Sequence, residues 1–201
     1  MIHAFLFDIG NVLLKFDFSK AMRLIAAKSA VNDPVEALGR IDQIKVSYED
    51  GQIDRAAFLR GCIDALTYRG SNGDFATSWA DIFELNAPMA ELVEQLAAEG
   101  HRLYLLSNTN CIHYDWFTSR YAVFGHFAGG TFSHVARASK PGPRIYEIAC
   151  RNHGLIPAET LFIDDLLPNI EAARVLGFQT HHYHAEKHEA LLGELGAAGL
   201  V

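Results

Sequence analysis

Apolar and polar positions fall into a repeating phrase over the second half of the chain. Pro88 opens a helical pattern with Leu92, Val93 and Leu96 on one face, and Gly100 ends it; Arg102 to Leu106 then reads as a buried strand. Pro143 opens the next helix, with Ile145, Ile148 and Ala149 inward, and Gly154 closes it before the strand Thr160 to Ile163. Pro168 starts a third helix, Gly177 closes it, and Phe178 to Tyr183 forms a further short strand. Proline fits a first helical turn, where its missing N–H has no partner, and glycine accepts the left-handed turn that ends a helix. Strands apolar on both faces and alternating with helices imply a parallel sheet covered on each side. An earlier strand, Phe5-Leu6-Phe7, runs into Asp8 and the turn Ile9-Gly10-Asn11.

Residues 16–85 break this rhythm. They are helical by pattern and hold no convincing buried strand. Phe58, Leu59, Cys62, Ile63 and Leu66 form one stripe, Asp54 is placed to cap that helix, and Ile53 to pack on Phe58. The expected organisation is an α/β core of residues 1–15 and 86–201, interrupted by an all-helical insertion at 16–85. No internal repeat or low-complexity stretch modifies it.

Composition narrows the function classes. At 201 residues, half of them hydrophobic, the chain suits one core carrying a modest insertion. A net charge of -7 with dispersed basic residues argues against nucleic-acid binding. The N-terminal apolar run lacks a positively charged leader and is cut short by Asp8, and no stretch nears the length of a membrane span. Cys62, Cys111 and Cys150 are odd in number and form no CxxC pair, as in a reducing compartment. A soluble, cytoplasmic protein without membrane or nucleic-acid partners is expected.

Open parallel sheets bind ligands beyond the carboxyl ends of their strands, and here each strand end carries polar groups. The first ends at Asp8, the next in Ser107-Asn108-Thr109-Asn110, and the strand from Thr160 in Asp164-Asp165, with Asn169 after it; Lys140 precedes a helix. Any one of these could be an ordinary turn or capping residue. Together they have a joint logic. Adjacent carboxylates repel unless a hard cation lies between them, and oxygen ligands suit Mg²⁺. A phosphate would meet that cation, the lysine charge and the serine hydroxyl, and a carboxylate in line with phosphorus can act as nucleophile.

In this order the residues resemble the haloacid dehalogenase superfamily over nearly the whole chain. FLFD matches its nucleophile strand, LLSN its Ser/Thr motif, KPGPRIY its lysine motif and FIDDLLPN its acidic motif. The insertion resembles the family's C1 helical cap, with YEDGQIDRAAF as a familiar cap phrase, and FDIGNV with LSNTN is similar to phosphatases of glucose 1-phosphate. The resemblance implies a doubly wound parallel sheet. It makes Asp8 the nucleophile and a metal ligand, Asp165 the main acidic ligand, Asp164 a secondary one, and Gly10 a ligand through its carbonyl. Ser107 and Lys140 would hold the phosphate, with Asn11 and Asn108 beside it, and Asn169 would orient the metal's water shell.

Gly10 departs from the family pattern, in which a second aspartate serves as general acid and base. Loss of such help costs about 10²–10⁴ in rate. Decay to a silent phospho-ligand binder, a 2-haloacid dehalogenase needing no proton, or an easy leaving group would each account for it. The last is favoured, because the hemiacetal hydroxyl of a sugar 1-phosphate leaves with less proton assistance. Dehalogenases of this family work without metal, whereas Asp164-Asp165 asks for one. Asp17 and His113 are the substitute acids by position and candidate substrate contacts. Gly10 and Asn11 together are expected to let the chain turn tightly.

Two further signals are set aside. The run Thr180-His181-His182-Tyr183-His184, with His188, lacks partners for a zinc set and reads as surface histidine. Trp79, Phe83, Trp116 and Phe117 read as core before cleft. The expectation is Mg²⁺-dependent hydrolysis of a small phosphorylated metabolite, a hexose 1-phosphate first, through an aspartyl-phosphate, by a monomer.

Overall fold

The computed structural model describes residues 1–201. Five strands form one wholly parallel sheet in the order β5-β4-β1-β6-β7. They are β1 (Ala4–Phe7), β4 (Arg102–Ser107), β5 (Gly129–Phe132), β6 (Thr160–Asp164) and β7 (Gln179–His182), while β2 (Leu14–Phe16) and β3 (Phe83–Leu85) form a separate antiparallel ribbon. The helices are α1 (Phe18–Ala26), α2 (Pro34–Glu49), α3 (Arg55–Leu66), α4 (Asn72–Ala80), α5 (Ala87–Ala98), α6 (Cys111–Arg120), α7 (Ser133–Ala136), α8 (Pro143–His153), α9 (Leu167–Val175) and α10 (His188–Ala197).

The period-2 alternation of the strands builds two cores. Phe5, Phe7, Leu103, Leu105, Leu161 and Ile163 face one side and pack with α5 and α10 residues such as Val93, Leu96 and Leu191. Leu6, Tyr104, Leu106 and Phe162 face the other and pack with Ile145, Ala149, Ile170 and Ala173 of α8 and α9. Buried on both faces, β1 carries no polar residue until Asp8. The sheet is therefore doubly wound, with β1 between β4 and β6 and their carboxyl ends side by side.

The stretch between β2 and β3 folds into α1–α4 around a third cluster led by Tyr48, Phe58, Phe75 and Trp79. Each helix starts at a side-chain cap: Asp17, Asp33, Asp54 and Ser71. Asp54 caps as expected, and Ile53 packs against the cluster that contains Phe58. Ile112 of α6 belongs to the same cluster and seats the insertion on the α/β part.

Two corrections concern strands. The insertion is not all-helical: Phe16 pairs with Phe83, and Leu14 with Leu85, in a ribbon where the chain leaves and rejoins the sheet. Three-residue strands are too short for alternation to register. Gly129–Phe132 is a fifth sheet strand that went unread, because Gly129 and Gly130 supply no apolar side chain. There, a Cβ on Gly130 would lie 2.9 Å from the Leu105 side chain and closer still to the Phe132 ring. No helix is long and apolar enough to cross a membrane.

Candidate active site

The parallel register sets Asp8, Ser107 and Asp164 at adjacent strand ends, and the Asp8 N–H donates to the Ile163 carbonyl at 2.9 Å. Lys140 reaches between them from the loop before α8. Its Nζ lies 2.7 Å from Asp8 Oδ1 and 2.6 Å from Asp164 Oδ2, and donates to the Leu106 carbonyl at 2.9 Å. All three ammonium protons are thereby used. Lys140 is 5% exposed and Asp164 wholly buried. Burial works against the Lys140 charge, yet Asp8 and Asp164 outweigh it and hold its pKa above the ordinary value. Burial pushes Asp8 up to about 7 against the opposing pull of Lys140, with the Asp164 charge adding to the rise.

Asp164 is saturated with donors. Oδ1 accepts from the Leu166 N–H at 2.8 Å and Asn169 Nδ2 at 3.0 Å, while Oδ2 takes Lys140 and lies 3.1 Å from the same amide. Asn169 is thus a partner of Asp164, held through its own carbonyl by the Tyr146 hydroxyl. Asp165 is freer: it accepts from Asn11 Nδ2 at 3.0 Å, and burial raises its pKa. Carboxylate oxygens of Asp8, Asp164 and Asp165 come within 4.8 Å of one another. Three carboxylates against one ammonium leave two negative charges uncompensated, a donor set of hard oxygens that fits one divalent cation. The saturation of Asp164 leaves Asp8 and Asp165 as the residues with oxygens to offer it.

The turn over this cluster differs in detail from expectation. Asn11, with φ of 53°, takes the left-handed conformation, which asparagine tolerates; Gly10 does not. Gly10 is small for another reason, since a Cβ there would lie 3.1 Å from the Phe16 ring. Asn108 clamps Lys140: its Oδ1 accepts from the Lys140 N–H and its Nδ2 donates to the Lys140 carbonyl, each at 2.9 Å. Its side chain therefore positions the lysine.

Above the cluster lies a cavity of about 300 Å³ that Asp8, Ser107, Lys140 and Asp165 line from the sheet. Lys45, Glu49, Phe16 and Phe18 line it from the insertion side. Sequence reading missed those four. The only available signal was the YEDG phrase that contains Glu49, since nothing in the chain marks which face of α2 meets the sheet. Two core–insertion tethers flank the site: Ser133 Oγ donates to the Glu49 carbonyl at 2.5 Å, and the Ser139 hydroxyl donates to the Asp50 carboxylate. A second, more open basin of about 670 Å³ adjoins Asp165 and Asn11 and is lined by Lys15, His184 and Lys187.

Neither expected substitute acid is available. Asp17 is spent as the α1 cap, accepting from the Ser19 N–H and hydroxyl, both at 2.8 Å. His113 lines a smaller side cavity with Phe83, but both its nitrogens are engaged. Asn110 Nδ2 donates to Nδ1 at 3.0 Å, so Nε2 carries the proton and donates to the Trp79 carbonyl at 3.1 Å. Trp79 and Phe117 are core, wholly buried, while Trp116 carries Arg120 3.4 Å above its ring. Of the histidine run, His182 donates from Nε2 to the Asp165 carbonyl at 2.9 Å and so braces the acidic turn.

Known proteins resemble this chain in sequence and fold. A D-ribitol-5-phosphate phosphatase of Bacteroides thetaiotaomicron is 27% identical over 189 residues, 90% of this chain and 91% of the relative. A haloacid-dehalogenase-family enzyme of the same organism, solved in complex with magnesium and inorganic phosphate, superposes with a TM-score of 0.83 at 28% identity, covering 92% of this chain and 96% of that one. The L-2-haloacid dehalogenase of Xanthobacter autotrophicus shares the fold at a TM-score of 0.64 and 17% identity, over 90% of this chain and 76% of that one. The pattern of haloacid dehalogenase-like hydrolases matches residues 2–177, so the chain belongs to the haloacid dehalogenase-like hydrolase family.

Proposed function

We propose that the protein is a magnesium-dependent phosphatase of small sugar or polyol phosphates, working through an aspartyl-phosphate on Asp8. One observation carries the reading: Lys140 bridges Asp8 and Asp164 beside Asp165, in a small and largely polar cavity. The resemblance in sequence and structure to a polyol-phosphate phosphatase and to an enzyme solved with magnesium and phosphate supports it. About 300 Å³ sits at the low end of ligand pockets and suits a small metabolite. A hexose 1-phosphate, whose hemiacetal hydroxyl leaves more easily than an ordinary alcohol, is the first substrate to try.

Asp8 and Asp165 would hold the metal, with the Gly10 carbonyl beside them, and Asp164 would act through Lys140. Magnesium held there would neutralise phosphate charge and favour the ionised form of Asp8. The Ser107 hydroxyl would bind one phosphate oxygen and Lys140 would turn the proton it gives Asp8 to another, freeing an Asp8 oxygen to attack phosphorus in line with the departing oxygen. The helical insertion, tethered at Glu49 and Asp50, would serve as a cap that excludes water and selects substrates by size. The three unpaired cysteines fit a reducing, cytoplasmic setting, and a monomer is the simplest working state.

The test is phosphate release from a panel of sugar and polyol phosphates, with and without Mg²⁺. Turnover should require the metal and vanish in Asp8→Asn. Release that persists in that variant, or the absence of release from folded wild-type protein across the panel, refutes the proposal. Preference for 1-phosphates would support the reading of Gly10.

A further inference from the structure

Position 10 offers no acid, and Asp17 and His113 are occupied elsewhere. Three carboxylates line the cavity: Asp8, Asp165 and Glu49. The first two belong to the sheet end, where the phosphate would be held. Glu49 lines the same cavity from the insertion, at the end of α2, where the cap would meet a leaving group. We propose that Glu49 is the general acid and base of this active site, supplying across the cavity the proton that position 10 cannot. The proposal rests on the phosphatase reading above.

Glu49 is well placed to be precise. Its own carbonyl accepts from Ser133, and the next residue accepts from Ser139, so the helix end is pinned to the α/β core. Its side chain is 23% exposed. Burial raises its pKa and outweighs Lys45, whose Nζ lies 3.7 Å away and favours the carboxylate. Asp50 and Asp42 of the same stretch push upward as well. Across the cavity stand Asp8, Asp165 and Lys140, and His113 on α6 is neutral. A bound phosphate dianion adds negative charge and favours protonated Glu49 further; Lys45 steadies the carboxylate once the proton has gone.

The steps balance. As an Asp8 oxygen bonds phosphorus, the bond from phosphorus to the leaving oxygen breaks, and that oxygen takes the Glu49 proton to depart as a neutral alcohol. Water then gives a proton to the Glu49 carboxylate while its oxygen bonds phosphorus. The bond from phosphorus to Asp8 breaks, phosphate leaves, and Asp8 is again a carboxylate with Glu49 protonated.

The test compares kcat/KM, with Mg²⁺, for wild type, Glu49→Gln and Asp8→Asn on two substrates. One is p-nitrophenyl phosphate, whose phenolate leaves without a proton; the other is the alkyl phosphate that wild type hydrolyses best. Glu49→Gln should lose about 100-fold or more on the alkyl phosphate. It should change less than about threefold on the aryl phosphate, the contrast expected if proton transfer to the leaving group is what was removed. The variant should also show a burst of nitrophenolate equal to the enzyme concentration, because hydrolysis of the intermediate is slowed. The basic limb of the pH profile for the alkyl phosphate should disappear. An equal loss on both substrates, as a merely structural residue would give, overturns the role of Glu49, and so does no loss on either. If wild type turns over neither substrate, the phosphatase reading itself fails, whereas active wild type with unaffected Glu49→Gln removes Glu49 alone.

Discussion

His113 is 3% exposed, with both ring nitrogens hydrogen-bonded, and burial pushes its pKa from 6.5 down to about 4 while the Trp79 carbonyl opposes the shift. The unfolded chain therefore binds the proton first as pH falls. The stability His113 contributes as a neutral ring is complete above about pH 6.5 and is lost toward pH 4, with a slope of up to about 1.4 kcal/mol per pH unit. Urea midpoints for wild type and His113→Gln at pH 7, 6 and 5 should converge as pH drops. Parallel curves would show that His113 contributes nothing to the acid sensitivity. Asp8, Ser107, Asp164 and Asp165 were legible at this scale, because a polar group ending an apolar strand is visible in one dimension, and Lys140 by its phrase ahead of a helix. His113 and Asp17 were misjudged as free acids because a side chain's partners are not visible there: Asn110 and Trp79 hold the first and Ser19 the second.

The β2–β3 ribbon shows how an element can dictate a residue. Phe16 lays its ring over the turn after β1, so position 10 has no room for a Cβ without the ring giving way by a few tenths of an ångström. Phe16 is 40% exposed and can yield. Gly10→Ala should thus cost less than about 1 kcal/mol, below the usual 1–3 kcal/mol range for overpacking a tight core. Phe16→Leu should recover most of that loss, and chemical denaturation of the four proteins of a double-mutant cycle measures the coupling. Additive effects would mean the ring is not what limits position 10. The ribbon itself went unread for want of length. The helices α3, α5, α8 and α9 and the strands β1, β4 and β6 did not, since their periods of 3.6 and 2 repeat often enough to stand out.

At the scale of the molecule, two hydroxyls join the insertion to the sheet. Ser133, the first residue of α7, holds the Glu49 carbonyl, and Ser139, in the loop after that helix, the Asp50 carboxylate. The insertion has its own aromatic core, so these bonds bear on its closure more than on its folding. In Ser139→Ala, amide hydrogen exchange over the last two turns of α2 should quicken by roughly tenfold, the effect of about 1.4 kcal/mol on a local opening equilibrium. KM for the best alkyl phosphate should rise severalfold, with the global urea midpoint little changed. Unaltered exchange in α2 would mean that closure is held by the Ile112 contact and the ribbon instead.

The amino-acid sequence by itself determined the alternating strands and helices, the parallel sheet they imply, the interruption by helices, the acidic and serine groups at three strand ends and the lysine ahead of a helix. Those are properties of local period and local order, which the linear chain carries. Only the tertiary structure decided that Lys140 lies between Asp8 and Asp164, that Phe16 crowds Gly10, and that Glu49 and Lys45 close the cavity. Each of these joins residues more than twenty positions apart, apart from the packing of Phe16 on its own turn. Such contacts follow from how whole elements dock, and docking depends on the summed burial of many side chains, which no local pattern records.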